Sequence, residues 1–305
     1  MTIGYSAHYV YLGAHFTDDG KLSSVIKLHA ADGIKHVNKF AIFVWKNPSM
    51  PFHLKKKVLN AALMSSILYG CETWLCKDIK AIKQLYITSI KTLLGVRKST
   101  PNILCLLESG YPELEAIILK RRVLFITKFM KNMSGDEPLS AIYQLCRGHN
   151  TKGHRILCES QQYVGDPVAN NIEQLKEKCR NQAATSSKFS TYMLINPSLH
   201  VHYAYSDNAV EYVPDYKRQS FSRLRLSAHR LRIETGRWSR TPREDRLCQC
   251  DLNEIQDERH VMFECPLSAD IRIEYGIKNC DWEELFTFNV KSICEIAHKL
   301  LRKFD

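Results

Sequence analysis

Apolar residues recur at helical spacing through most of the first half of the chain. Within the segment 25–45 this spacing is clearest in the second half, and Gly70 and Gly95 stand at the ends of later helical segments. Pro48 and Pro51 separate the first helix from the second. The pattern predicts a mainly α-helical half, with helices over the segments 25–45, 54–69, 78–94 and 113–133.

The chain before these helices alternates between apolar and polar positions instead. This period-two pattern over 9–17 is typical of a strand, and Asp19-Gly20 after it is typical of a tight β-hairpin turn. Alternatively, Asp18 and Asp19 could be metal-binding carboxylates of a polymerase. Such a site needs further carboxylates from separate strands, and nothing nearby supplies them. The sequence therefore favours turn residues and an N-terminal β-hairpin.

The texture of the chain changes after residue 147. Over 148–214 it is rich in Asn, Gln, Ser and Tyr with scattered charge, and only 172–186 could form one polar helix. We therefore predict a loop-rich linker or a loosely packed subdomain over 148–216.

Charge narrows the class of partner. The 305 residues suffice for about two domains, and the formal net charge is +11. The segment 217–246 holds ten basic and three acidic residues, so +7 of that excess lies in thirty residues. Polyanions, of which nucleic acid is the commonest, are therefore the expected partners, although a merely basic protein is the alternative.

The same basic segment predicts one helix, because Phe221, Leu224, Ala228 and Leu231 fall on a single stripe. Arginines on its flanks could contact phosphates, and an exposed tryptophan could stack on an unpaired base. The alternative is a solvated basic face with Trp238 in the core. The predicted nucleic-acid-binding residues are Arg223, Arg225, Arg230, Arg232, Arg237, Trp238 and Arg240.

Cysteines and one histidine follow directly. Cys248, Cys250, His260 and Cys265 provide three thiols and an imidazole, a donor set typical of tetrahedral zinc. The His-x4-Cys half has ordinary ligand spacing, whereas Cys-x-Cys requires a tighter loop than Cys-x2-4-Cys. We predict a small Cys/His subdomain that could bind Zn²⁺; reduced core cysteines with His260 on a helix are the alternative.

The cysteine count and the hydropathy pattern indicate the cellular compartment of the protein. The eleven cysteines cannot all pair, and the N-terminus has no charged start followed by an apolar run. We expect an intracellular protein of the cytoplasm or nucleus that is not secreted. Polar residues interrupt the most apolar helical window, 58–76, which argues against a membrane span.

Several blocks of the sequence, in this order, carry a resemblance to a known family. They are YLG, LMSSILYGCETW, IKTLLGVRKSTPN and RLRLSAHRLRIETGRWSRTPREDRLCQCDLNEIQDERHVMFECP. Together these blocks resemble the region of a non-LTR (LINE-type) retrotransposon reverse transcriptase that begins at the end of the palm. The resemblance covers most of the chain and is weakest over 148–214.

The resemblance implies roles for several segments. Tyr11, Leu12 and Gly13 would belong to the strand pair that touches the primer end, and the helices within 54–94 would form the thumb. The four Cys and His residues would be the C-terminal cysteine-histidine motif of the family. The family's catalytic aspartates and endonuclease lie upstream of this region, so we expect no Mg²⁺ site and no polymerase activity in this chain.

We therefore expect a non-enzymatic, RNA- or DNA-binding part of a reverse transcriptase with no membrane partner. The alternative function is a zinc-dependent structural or protein-interaction module with a basic docking face. The predicted parts are a hairpin remnant of the palm (1–24), a helical thumb-like domain (25–147), the loop-rich middle (148–216), the basic helix with the Cys/His motif (217–280) and a C-terminal helix (281–305).

Overall fold

The computed structural model describes residues 6–132, 138–206, 212–278 and 280–304. Within these residues the chain is mainly α-helical with an N-terminal antiparallel hairpin, which confirms the predicted fold class. It divides into two compact units, each built from separate stretches of sequence rather than from consecutive segments. Unit 1 comprises Met1–Ala41, Val58–Ser89 and Pro112–Gln174, and unit 2 comprises Ile42–Lys57, Ile90–Tyr111 and Leu175–Asp305.

The helices follow one another with short connections. They are α1 (Leu22–Lys46), α2 (Phe52–Val58), α3 (Ser65–Ile67), α4 (Lys80–Leu94), α5 (Asn102–Ser109), α6 (Leu114–Asn132), α7 (Pro138–Gly148), α8 (Lys152–Gln161), α9 (Pro167–Ala183), α10 (Ser187–Ile195), α11 (Asp215–Arg225), α12 (Arg232–Trp238), α13 (Ala269–Tyr275), α14 (Trp282–Leu285) and α15 (Val290–Phe304). A π-helical turn, Leu59–Met64, joins α2 to α3, so the predicted helix over 54–69 is present in three consecutive pieces. None of the helices in the described part of the chain combines the length and the hydropathy that a membrane span requires.

The hairpin is formed by β1 (His8–Tyr11) and β2 (Ala14–Thr17). Its turn is Leu12–Gly13, and both residues have positive φ, +47° and +82°. A two-residue turn with positive φ at both positions matches the right-handed twist of paired strands. The hairpin was therefore predicted, but its turn lies seven residues earlier than Asp19-Gly20, within the run that had been assigned to a single strand.

Asp19 and Gly20 instead form the turn from β2 into α1. The Asp19 carboxylate accepts hydrogen bonds from the backbone N–H of Lys21 at 2.9 Å and from the hydroxyls of Thr17 and Ser24, both at 2.7 Å. Together these donors lower the pKa of the Asp19 carboxyl to about 2, and the N–H of Lys21 contributes most to this shift. Asp19 is thus a turn residue, as predicted, but one that begins a helix.

The middle of the chain contains more helix than the sequence predicted. The helices α8, α9 and α10 occupy much of 148–216, and α9 includes most of the polar helix expected over 172–186. The apolar periodicity of α9 is weak because few of its residues are both buried and apolar, among them Leu175 and Cys179. The amide of Asn171 is also buried. That amide is satisfied by Glu113, whose backbone N–H and carboxylate lie 2.7 and 3.0 Å away.

Unit 2 is organised by the packing of α11 against α15. At the start of α11, the buried carboxylate of Asp215 lies 2.7 Å from Lys55 Nζ and 2.6 Å from an Nη atom of Arg218. Burial alone would raise the pKa of Asp215, but Arg218 and Lys55 outweigh burial and lower it. Arg218 also donates to the carbonyl of Leu93 at 2.8 Å. Arg218 is therefore part of a buried network and belongs to the core rather than to a basic surface.

Candidate metal centre and basic surface

Cys248 and Cys250 lie on one tight loop. Leu247 and Ile255 pair as an isolated antiparallel bridge, and the N–H of Cys248 donates to the carbonyl of Glu254 at 2.7 Å. Asn253 takes a positive φ of +53°, which closes the loop. A narrow hairpin-like turn therefore accommodates the short Cys-x-Cys spacing.

His260 and Cys265 lie at the two ends of a single π-helical turn, His260–Glu264. The N–H of Cys265 donates to the carbonyl of His260 at 2.8 Å, a five-residue hydrogen bond that π-helical geometry provides. Asp257 accepts the N–H of His260 at 2.9 Å where this turn begins. The His-x4-Cys spacing thus corresponds to one wide turn that brings both ligands together.

The four side chains converge, as the sequence predicted. Their ligand atoms all lie within 4.8 Å of one another; the sulfurs of Cys248 and Cys265 are 3.6 Å apart, and Cys250 Sγ is 3.3 Å from His260 Nε2. Zinc bonds of about 2.0–2.3 Å place neighbouring ligand atoms of a tetrahedron roughly 3.5–3.8 Å apart. The Cys3His cluster therefore has the dimensions and donors to hold a metal ion such as zinc.

The surroundings of His260 also suit a bound ion. Its Nε2 faces the Cys250 sulfur, whereas its Nδ1 is buried without a hydrogen-bond partner among the described residues. A carboxylate oxygen of Glu264 lies 3.8 Å from Nδ1. A metal on Nε2 would place the ring proton on Nδ1, where a small rotation of Glu264 would supply the outer acceptor that metal-bound histidines usually have.

The thiols differ in their electrostatic environment. Burial raises the pKa of Cys265 to about 12. For Cys248, burial acts in the same direction, but the backbone N–H of Cys250 and the side chain of Gln256 outweigh it and lower the pKa of the thiol. Gln256 Nε2 lies 3.7 Å from Cys248 Sγ. The loop therefore makes it easier to deprotonate Cys248 to the thiolate, which is the form that coordinates metal.

The basic segment forms two helices rather than one, which corrects the sequence prediction. Helix α11 ends at Arg225, Ser227 takes a positive φ of +46°, and the N–H of Ala228 donates to the carbonyl of Arg223 at 2.8 Å. This is a helix-ending motif that usually uses glycine at the left-handed position. Ser227 holds it here because its hydroxyl donates to the buried carboxylate of Glu258 at 2.5 Å.

Arg225 was predicted to contact nucleic acid, and the structure contradicts this. Its side chain is buried and forms a two-point ion pair with Glu108, with Nε 2.6 Å from Oε1 and an Nη atom 3.0 Å from Oε2. Because two nitrogens of this guanidinium already donate to a buried carboxylate, the side chain does not reach a phosphate in solvent. The helical period could not reveal this, because the partner lies in α5, 117 residues away.

The remaining predicted contacts differ in exposure. Arg230, Arg232 and Arg240 are exposed, and Trp238 keeps 56% of its surface exposed, so it is not a core residue. Arg223 is half-buried and donates to the carbonyl of Gly95 at 2.8 Å. Arg237 is also half-buried and lies 3.0 Å from Glu234, so its charge is partly neutralised.

Sequence reasoning missed one residue of this surface. The guanidinium carbon of Arg97 lies 4.1 Å from the centre of the Trp238 ring, a stacked cation–π contact. Arg97 lies between α4 and α5, outside the basic segment and with only Lys98 beside it, so no strong local clustering pointed to it. Arg97 lies in IKTLLGVRKSTPN, one of the blocks that resemble LINE-type reverse transcriptases, but the resemblance implied no binding role for it.

The proposed primer-contact residues lie at the tip of the hairpin. Tyr11 ends β1, and Leu12 and Gly13 form its turn. Tyr11 and Leu12 are exposed, Leu12 to 76%, so their side chains are accessible. The expected contact with a primer stays a prediction.

Comparison of the chain with models of protein families, with curated proteins and with solved structures finds no match. The geometry on its own defines a mainly helical protein with a Cys3His cluster that could hold zinc and an adjoining arginine-rich surface.

Proposed function

We propose that this chain binds RNA or DNA and corresponds to the thumb and C-terminal region of a LINE-type reverse transcriptase. The sequence blocks described above support the family assignment. The exposed Trp238 stacked on Arg97, with exposed Arg240 two residues further along the chain, is the observation that carries the binding function. An exposed aromatic ring offers a stacking face for an unpaired base, and the arginines supply sequence-independent contacts to phosphates.

The metal centre would position this surface. The side-chain carbonyl of Gln256 accepts the N–H of Arg232 at 2.9 Å, and its backbone carbonyl accepts the N–H of Ile233 at 3.1 Å. The same side chain reaches Cys248 through its amide. Gln256 thus connects the Cys-x-Cys loop with the first turn of α12, the helix that ends at Trp238. The proposed role of zinc is to hold this helix in place, with Cys248, Cys250, His260 and Cys265 as ligands.

The test is a titration of labelled single-stranded RNA and of duplex DNA over a range of salt concentrations. Replacing Trp238 by Ala should weaken the single strand more than the duplex, because only unpaired bases can stack; each such contact is worth roughly 1–3 kcal/mol. Arg240→Ala should lower the slope of log affinity against log salt by about one unit, and for both nucleic acids. The Trp45→Ala variant, which removes an exposed tryptophan from α1, is the matched control and should bind as the wild type does.

The proposal fails if wild-type protein binds neither nucleic acid. It also fails if an acidic polypeptide competes as well as RNA of equal charge and Trp238→Ala has no effect. That second outcome would favour a zinc-dependent protein-interaction module with a basic docking face.

A further inference from the structure

Four arginines from separate parts of unit 2 line one pocket with a cavity volume of about 370 Å³. Arg97 comes from the loop after α4, Arg223 from α11, Arg230 from the turn before α12 and Arg302 from α15. In the sequence these residues are up to 205 positions apart, so only the fold brings them together. Arg97 and Arg302 were not among the predicted binding residues.

No Asp or Glu is among the described residues that line this pocket, hereafter the arginine pocket. Two histidines also line the pocket: His229 lies 2.8 Å from a carboxylate oxygen of Glu258, and His298 Nδ1 lies 3.0 Å from the hydroxyl of Ser220. Like charges gathered around one cavity repel each other, and an anion inside the cavity would relieve that repulsion. The arrangement is therefore that of an anion site rather than of a solvated basic face.

The geometry of guanidinium groups narrows the anion. Their planar forks match phosphate oxygens in a two-point manner. A phosphate monoester carries a charge of roughly −1.5 to −2 and three acceptor oxygens, whereas an internal phosphodiester carries one charge. Arginines that converge on a pocket suit the first kind of phosphate, while a backbone passing through would need them spaced along a track.

We infer that the arginine pocket binds the terminal phosphate monoester of a nucleic-acid strand. The inference rests on the proposed nucleic-acid binding and names the part of the ligand that this site takes. Arg97 belongs both to the pocket and to the stack with Trp238, so a strand whose end enters the pocket has an exposed aromatic ring beside it. The cavity volume lies near the lower end of the roughly 300–1,000 Å³ typical of ligand sites, which leaves room for one terminal nucleotide.

The experiment compares single-stranded RNAs of one short sequence that end in a 5′-phosphate, a 3′-phosphate or hydroxyls at both ends. One phosphorylated form should bind about tenfold more tightly than the hydroxyl form, as expected for a few charge-assisted hydrogen bonds. Adenosine monophosphate, as competitor, offers the same phosphate without the strand. It should displace the phosphorylated RNA only at concentrations well above those at which the RNA itself binds.

Two exposed pocket arginines provide the variants, because their removal should leave the core intact. Arg230→Ala and Arg302→Ala should each abolish most of the preference for the phosphorylated end. Lys303→Ala is the matched control: it removes a positive charge from the same helix, but Lys303 does not line the pocket and pairs with Asp270 at 2.7 Å. Arg240→Ala should weaken phosphorylated and hydroxyl RNAs equally.

The outcomes separate the two proposals. Equal affinity of wild-type protein for all three RNAs would overturn the terminal-phosphate site and leave nucleic-acid binding standing. Binding of none of them would overturn both. A preference that persists unchanged in Arg230→Ala and Arg302→Ala would place the terminal phosphate elsewhere, and adenosine monophosphate binding as tightly as the phosphorylated RNA would assign the pocket to free nucleotides.

Discussion

Arg225 and Glu108 face each other in the interior of unit 2, joined by two hydrogen bonds of 2.6 and 3.0 Å. Burial alone would lower the pKa of the guanidinium, but the adjacent carboxylate outweighs burial and raises it. Tyr192 adds a third contact, its hydroxyl donating to Glu108 Oε2 at 2.8 Å. An arginine from the most basic segment of the chain is therefore a structural residue of the core.

Removing either partner of this pair should destabilise the protein strongly. Arg225→Met and Glu108→Leu each leave an uncompensated buried charge, and we expect each to lower the free energy of unfolding by about 3–5 kcal/mol. The double variant should cost less than the sum of the two. Urea-induced unfolding of the four proteins measures these differences, and under native conditions the salt slope of RNA binding by Arg225→Met should match that of the wild type.

The exposed pair between Lys303 and Asp270 is the control for this cycle, since surface ion pairs contribute about 0–1 kcal/mol. A cost below about 1 kcal/mol for both Arg225→Met and Glu108→Leu would show that the pair is not buried as described.

Metal content provides the second prediction. Purified protein should contain about one equivalent of zinc, and Cys265→Ser should lose most of it because the site would keep three of four ligands. Chelation should lower the unfolding midpoint of the wild type and increase proteolytic cleavage within 247–266, because ion binding contributes folding free energy. Metal analysis with limited proteolysis measures both effects.

Cys280→Ser is the matched control, because Cys280 lies outside the cluster. It should keep the zinc content of the wild type. Protein that is free of metal after purification with added zinc, and whose unfolding is insensitive to chelators, would instead identify the four residues as reduced core side chains.

The third prediction concerns pH. Burial, with a smaller contribution from Arg225, lowers the pKa of His202 to about 4, and its Nδ1 accepts the N–H of Ala204 at 3.1 Å. Below the ordinary histidine pKa of about 6.5, the unfolded chain binds a proton that the folded protein does not. The stabilisation is therefore fully present above pH 6.5 and should decrease as the pH falls towards 4.

Replacing His202 by Gln removes this group while keeping a side-chain acceptor. Between pH 6.5 and 4 the unfolding free energy of the wild type should fall more steeply than that of His202→Gln, by up to about 1.4 kcal/mol per pH unit. Urea titrations at fixed zinc concentration measure the two slopes. Parallel slopes would mean that His202 is protonated in the folded protein.

The fourth prediction is that the purified chain does not extend a primer on a template with nucleotides and Mg²⁺. The Asp19 carboxylate is committed to its turn, and among the described residues the Cys3His cluster is the only group of three or more Cys, His, Asp or Glu that could hold an ion. A two-metal polymerase site requires carboxylates held around both ions. Primer extension by the wild type that Asp19→Asn abolishes would contradict this prediction; an active polymerase in the same buffer is the positive control.

Local signals allowed the main helices and the metal cluster to be predicted. Gly70 and Gly95 take positive φ at the ends of helical segments, as expected from their positions. The Cys and His ligands likewise lie on one short loop and one π-helical turn, each specified within a few residues. Both kinds of feature are local in sequence, so periodicity and spacing contain the necessary information.

Features that depend on distant partners could not be predicted in this way. The end of α11 has no glycine and depends on a hydroxyl of Ser227 bound to Glu258, 31 residues away. The burial of Arg218 depends on Phe52 and Leu93, which flank its guanidinium through a cation–π contact and a hydrogen bond. A cluster of basic residues in a sequence therefore indicates a basic surface only for those side chains that do not pair with a buried carboxylate.

The composition of unit 2 has a consequence for the order of events on the ribosome. Lys55 and Glu108 emerge long before their partners Asp215 and Arg225, which lie 160 and 117 residues later in the chain. Until the helix that carries both partners has been synthesised, these two early charges have no native counterpart, and burying them alone would be unfavourable. The interior of unit 2 therefore closes late in translation, and a nascent chain halted before residue 225 should remain open to proteases and chaperones there, however complete its earlier helices are.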